Sequence, residues 1–406
     1  MRGGTLYSLT LDNSLMLAHR PRRTSPVVRS SLVIAALVGA AACSSSGATS
    51  TSSASTVTPT TRKAPVATTT TAKAPTKATV TPATDPATTT TEAPATTIAE
   101  TTTTIPETTT TVPGPPVYPL TGVVSDNPGS LARPALVVKI DNANGARPQS
   151  GFNEADLVFE EIVNDHITRF AMVFQSGGAD PVGPIRSGRI QDINLFTALN
   201  HPLFAWSGGN KTVTNAINFS ELINIGPQKA NLYYRTKDKK APHNLYSSTE
   251  ALYTKADPAA TPPPQWFKYR GPDVAPAGVP SPGVAVALDS IDVRWDWDPA
   301  TGLYYRTMEG RPHYDANSGQ VTTNNVVILV MEYWPGISDS PDAQTIGTGE
   351  AFVMTGGNVI HGTWTRDEVH QPFTLTADDG TPMLLQPGRS FIELPTANHT
   401  LVIPGT

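Results

Sequence analysis

Apolar and polar positions change period several times along this chain. Residues 135–140 form an apolar run broken only by Lys139, which predicts a strand covered on both faces. Residues 156–163 and 168–176 read as two further strands around a turn at Asn164, Asp165 and His166. Ile190, Ile193, Phe196 and Leu199 recur at helical spacing. A short strand over 202–206 runs into Ser207-Gly208-Gly209-Asn210, and a helix follows over 212–219. Ser247 and Glu250 have the spacing of a capping box for a helix over 248–256.

Past residue 282 the pattern is almost wholly of strands, at 284–289, 303–307, 325–332, 350–355, 359–364, 389–394 and 401–403. Gly356-Gly357-Asn358 and Asp378-Asp379-Gly380 mark turns between them. Pro262-Pro263-Pro264, Pro272, Pro276, Pro280 and Pro282 crowd the region in between. The expected organisation is therefore an α+β or α/β domain over 117–258, a Pro-rich linker over 259–282 and a small, mainly β domain over 283–406.

The first third of the chain reads as an address and a stalk. Arg20, Arg22, Arg23 and Arg29 precede an apolar run over 32–42, too short for a permanent membrane span and suited to a secretory signal. That run ends at Cys43, the single cysteine of the 406 residues. Small residues before a lone Cys resemble the bacterial lipobox, in which the thiol receives a diacylglycerol; Ala40 stands where that pattern prefers Leu, Val or Ile. Residues 1–43 are thus expected to be a lipoprotein signal peptide, with Met1 or Met16 as its start, and Cys43 the lipidation site holding the protein at the membrane. Residues 44–116 are nearly all Thr, Ala, Pro, Ser and Val without an apolar face, which predicts a disordered linker open to O-glycosylation. Fully extended, it would reach about 230 Å at ~3.1 Å per residue.

Charge sharpens the picture. Residues 117–406 carry 20 Lys and Arg against 29 Asp and Glu, a net of −9. Such a body repels polyanions unless it has a local basic patch, so nucleic acid is not an expected partner. A single cysteine rules out both a disulfide framework and a CxxC metal site.

Several runs resemble the YerB-like bacterial lipoprotein family. They are Arg133-Pro-Ala-Leu-Val-Val-Lys-Ile-Asp-Asn142, Ala146-Arg-Pro-Gln-Ser-Gly151, Ala155-Asp-Leu-Val-Phe-Glu160, Ile167-Thr-Arg-Phe170, Gly183-Pro-Ile-Arg-Ser187 and Ala241-Pro-His-Asn-Leu245. Residues 285–396 resemble that family's β-rich C-terminal domain, through 349–355, Gly362-Thr-Trp364 and 385–393. The resemblance implies a secreted, lipid-anchored protein with two domains of unknown function. It implies no reaction.

Candidate chemistry gathers at element ends. Asp141 and Asn142 follow one strand and Ser207, Gly208 and Gly209 another, and ligands of open α/β sheets sit at the carboxyl ends of strands. Glycines before a helix let backbone N–H groups face an anion, although a plain tight turn needs the same residues. A second group comprises Arg147, Asp156, Glu160, Glu161, Arg169, Arg186, Arg189 and Asp192. Arg186 and Arg189 would grip a carboxylate or phosphate, whereas Arg169 and Glu160 would equally serve as a structural ion pair. His243 and Asn244 lie in a polar loop, and His243 has the chemistry of a general base. Neighbouring strand residues face opposite sides, so at most one of Glu160 and Glu161 lines any one site.

Three functions are compatible with these residues. One is a lipid-anchored envelope protein binding an anionic or polar ligand such as a glycan, a muropeptide or a protein partner. The next is an envelope hydrolase or transferase using Glu160 or Glu161 with His243; a Ser207–His243–Asp141 triad is a variant of it. The third is a structural or assembly lipoprotein without a small ligand. No P-loop, GxGxxG, GxSxG or SxxK occurs, so no cofactor is expected. Asp156, Asp165 and His166 match no standard metal spacing. Trp295, Trp297, Tyr304, Tyr305, Tyr333, Trp334 and Trp364 would either stack on sugars or fill a β core.

Overall fold

The computed structural model describes residues 114–164, 166–227 and 231–403. The signal sequence, Cys43 and most of the Thr/Pro-rich stretch lie outside the described residues. Among the described residues, no helix is long and apolar enough to cross a membrane.

An eleven-stranded sheet runs through both halves of the folded region. From the first half come β1 (Leu136–Asp141), β2 (Leu157–Ile162), β3 (Thr168–Phe174), β4 (Leu203–Ala205) and β5 (Ile223–Asn224). The second half begins with β6 (Gly283–Leu288), β7 (Ile291–Asp298) and β8 (Leu303–Met308). It continues with β9 (Asn325–Leu329), β10 (Gly347–Thr355), β11 (Asn358–Arg366), β12 (Thr374–Ala377), β13 (Ser390–Leu394) and β14 (Thr400–Ile403). The order across the large sheet is β12-β11-β10-β9-β13-β2-β3-β1-β4-β5, and Val279–Pro280 adds a short strand beside β11. The join is β13, parallel to β2 on one side, with Phe159 opposite Ile392, and parallel to β9 on the other, with Val326 opposite Phe391. A second sheet contains β8, β7, β6 and β14 in that order.

Strand residues alternate between faces, and here both faces are covered. Leu136, Val138, Ile140, Phe170 and Met172 pack against Val284, Val286, Val293 and Trp295 of the second sheet. Val137, Leu157, Phe159 and Val173 pack with Leu195, Phe196, Trp206, Ile217 and Trp266 on the other side. That is why β1, β2, β3, β9 and β13 are buried at every position, with mostly apolar residues and a few buried charged ones such as Lys139, Glu160, Glu161 and Glu393.

The fold is more β-rich than the expected α+β or α/β arrangement, since the helices are few and short. They include α1 (Gln191–Phe196), α2 (Lys211–Phe219) and α3 (Thr249–Tyr253). The cap of α3 is Ser248, which accepts from Ala251 N, one residue later than the capping box predicts. The Pro-rich stretch is anchored at a few points. Trp266 and Phe267 are buried, Trp266 N donates to Pro119 O, and Arg270 N donates to Leu385 O. The aromatic residues differ in burial. Trp295, Tyr304 and Trp364 fill the core, Trp297, Tyr305 and Tyr333 are half-buried, and Trp334 is exposed.

Candidate functional site

Parallel pairing of β1 with β4 brings their carboxyl ends side by side, with Asp141 at one and Ser207 just beyond the other. The segment containing Arg186 is laced between them. Asp141 N donates to Pro184 O, Arg186 N to Lys139 O and Ser207 N to Arg186 O. Arg186 is thereby fixed beside Asp141, with Nε 3.2 Å from Oδ2. The same oxygen lies 2.7 Å from His243 Nδ1, whose loop is drawn in by Ile185 N donating to Leu245 O. Asp141 itself is buried, and its other oxygen accepts from Ala143 N.

A cleft of about 420 Å³ opens here. Its walls include Arg186, Ser187, Gly188 and Arg189, then Ser207, Gly208, Gly209 and Asn210, with Arg235 and Pro242 beside them. Gly188 sits so close to Trp206 that a Cβ would meet the indole at 2.8 Å, and Gly208 has a φ of +105°. Asn210 caps α2 by accepting from Val213 N. The far wall belongs to the second half of the chain and consists of Ile337, Ser338 and Ser340, between the paired segments Tyr333–Pro335 and Pro341–Ala343. Ser338 is tied to the first half by Asn210 Nδ2, which donates to its Oγ, and by Asn164 Nδ2, which donates to its carbonyl.

Strand register explains the electrostatics. Glu161, Arg169 and Asp141 stand opposite one another across β2, β3 and β1, so they share the face beneath the cleft. Arg169 is buried and its NH1 donates to Ser187 O. Burial, together with the neighbouring guanidiniums of Arg189 and Arg186, lowers its pKa to about 9. Lys139, two residues before Asp141, lies 2.6 Å from Glu161 and 2.8 Å from Asp192. Asp192 also accepts from Arg189 N at the start of α1. Burial pushes Glu161 up to about 7 despite Lys139.

The opposite face holds a different set. Asn142 Nδ2 donates to Thr168 Oγ1, and Arg147 Nε donates to Asn142 Oδ1. Glu160 is sealed in a pair with Arg306 of β8, whose NH1 lies 2.6 Å from His313 Nδ1. The rings of Phe170, Trp295 and Phe391 surround that guanidinium. Glu393 lies beside it, and burial with Glu160 nearby raises its pKa well above the carboxylate range.

The sequence candidates therefore separate. Asp141, Arg186, Arg189, Ser207, Gly208 and Gly209 come together at the cleft or its edge, with His243 held on Asp141 and Arg169 beneath. Asn244 braces the cleft indirectly, its Oδ1 accepting from Arg235 NH1. Asn142 faces away, and Arg147 lines another cavity with Glu309 and Tyr314. Glu160 and Glu161 do not serve as the enzyme reading requires, because both are fully buried in ion pairs on opposite faces of β2. Arg169 pairs with neither, so the expected Arg169–Glu160 bridge is replaced by Arg306–Glu160. The Asp141–His243 half of the imagined triad forms, but among the described residues the Ser207 hydroxyl makes no bond to His243. Among the described residues, no His, Cys, Asp and Glu group has the geometry of a metal site. Sequence reasoning missed Arg235 and the wall at 337–340, which no local motif marks.

Comparison with known proteins gives two family matches. Residues 120–261 match the N-terminal domain, and residues 284–392 the C-terminal domain, of a protein family of unknown function, DUF3048. The chain is 27% identical over 287 residues to the lipoprotein candidate YerB of Bacillus subtilis (strain 168), covering 68% of this chain and 85% of that one. The crystal structure of YerB from Bacillus subtilis superposes with a TM-score of 0.61 at 23% identity, over 69% of this chain and 96% of that chain. That structural likeness is one of fold.

Proposed function

The chain belongs to the DUF3048 family, and from that premise we propose that it is a lipid-anchored, extracytoplasmic protein of the cell envelope whose arginine-lined cleft binds an anionic ligand. One observation carries the binding claim. Arg186, Arg189 and Arg235 line a single cleft, and none of the described residues lining it is acidic. In a body with a net charge of −9 over residues 117–406, such a patch is a local reversal of sign. Guanidinium forks suit carboxylate and phosphate, and 420 Å³ falls within the roughly 300–1,000 Å³ of small-molecule sites. The anchor is supported by Cys43 after a secretory-type apolar run and by the name of the Bacillus subtilis relative. A glycan, a muropeptide or a protein partner would each present suitable anionic groups.

The test has two parts. The full chain should bind acidic envelope fragments in a manner lost in Arg189→Gln, and Cys43→Ser should release it from the membrane fraction. Unchanged binding would remove the cleft from the account, and unchanged membrane retention would remove the anchor.

A second reading, hydrolase or transferase, is favoured by the 2.7 Å contact between Asp141 and His243 Nδ1, which orients an imidazole as in acid–base catalysis. With Glu160 and Glu161 sealed, His243 would be its base. Absence of turnover of wall fragments would discard this reading, and turnover that survives His243→Ala would remove His243 as the base.

A further inference from the structure

Resting on the anionic-ligand reading, we infer that the cleft receives a phosphoryl group, on a phosphomonoester or a phosphodiester, in preference to a carboxylate. Three arginines line the cleft from two stretches of chain, Arg186 and Arg189 from one and Arg235 from the other, and Arg169 lies beneath the wall formed by Ser187. A carboxylate offers two coplanar oxygens and one negative charge, enough for one guanidinium fork. A tetrahedral phosphomonoester offers three acceptor oxygens and a charge of about −1.5 to −2, which matches donors converging from several directions.

The charges beneath the cleft leave room for more than one negative charge. Asp141 and Asp192 are carboxylates beside Arg169, and Asp141 is already shared between Arg186 and His243, while Asp192 also holds Lys139. The Nε groups of Arg169 and Arg186 are shielded from solvent without a hydrogen-bond acceptor. Arg186 Nε is within ion-pair distance of Asp141 but poorly aligned with it. Polar groups left in that state are costly, and a ligand that reorients the guanidiniums would relieve the cost. The nine-residue helix α2 begins at Lys211 beside the cleft, with its Val213 amide capped by Asn210.

Calorimetric titration of the detergent-extracted full chain tests this with three soluble probes: glycerol 3-phosphate, glycerophosphoglycerol and malonate. At least one phosphate probe should bind about tenfold or more tighter than malonate, and Arg189→Gln and Arg235→Gln should each weaken it by about tenfold. Arg189→Lys keeps the charge but loses the fork and should recover only part of that affinity. Unfolding midpoints of the unliganded variants control for misfolding. Preference for the monoester would point to a soluble phosphate, and preference for the diester to a polymer or lipid headgroup. Malonate binding as tightly as either phosphate probe overturns the phosphoryl assignment while leaving the anionic cleft standing. Failure of all three to bind overturns both.

Discussion

Arg306 on β8 and Glu160 on β2, 146 positions apart, form an ion pair to which water has no access. The pair connects the second sheet to the large one, and the rings of Phe170, Trp295 and Phe391 lie around the Arg306 guanidinium.

Replacing Arg306 with Met preserves much of the volume but strands Glu160 beside Glu393. Breaking a buried pair in this way typically costs about 3–5 kcal/mol, a large share of a domain's stability. Urea unfolding should register that loss as an earlier midpoint. A midpoint within experimental error of the wild type would show that the pair contributes little.

Glu161 gives stability a pH dependence of defined sign. Its pKa moves from an ordinary 4.5 up to about 7 on folding, because burial opposes the charged form. Between those values the folded state holds more protons than the unfolded state, so stability falls as pH rises from about 5 to 8. Glu161→Gln removes this contribution. Relative to wild type, the variant should gain on the order of 1–3 kcal/mol between pH 5 and pH 8. Parallel pH profiles for the two proteins would contradict it.

Gly188 is a tight steric point in the cleft wall. Adding a methyl group there sets it 2.8 Å from the Trp206 ring and 3.1 Å from Asp192 Oδ2. Gly188→Ala should cost about 1–3 kcal/mol through overpacking and displace Arg186 and Arg189 together. Ligand affinity should therefore fall more than in a surface Gly→Ala control, such as Gly271→Ala, whose added methyl group meets nothing closer than 3.8 Å.

Asp141 organises Arg186 and His243 at once. Asp141→Asn keeps the shape but leaves two donors sharing a neutral acceptor, so both side chains should gain mobility. The expected result is weaker anion binding with an altered His243 imidazole NMR signal. An unshifted imidazole resonance would indicate that the contact does not persist in solution.

Most strands were legible because burial on both faces writes itself as an apolar run, as at 135–140. Arg186, Arg189 and the Ser207–Gly209 turn were legible as donors at element ends. What hid was long-range. Glu160 and Glu161 look alike in sequence, and only their distant partners, Arg306 and Lys139, show that both serve the interior. Arg306 alternates with Tyr304 and Met308 on the inward side of β8, a pattern in which a charged residue at an apolar position signals a buried pair. Arg235 and Ser338 carry no such mark, since a hairpin pairing and a loop closure bring them to the cleft.

Placing Ser390–Leu394 in the middle of the large sheet also constrains biogenesis. Until the ribosome has added those residues, β2 has β3 on one side only and its other edge stays unpaired, however early the first half was made. Assembly must wait for nearly the whole polypeptide, so a premature stop a few codons before 390 should yield no partially working product, only an unclosed and protease-sensitive chain.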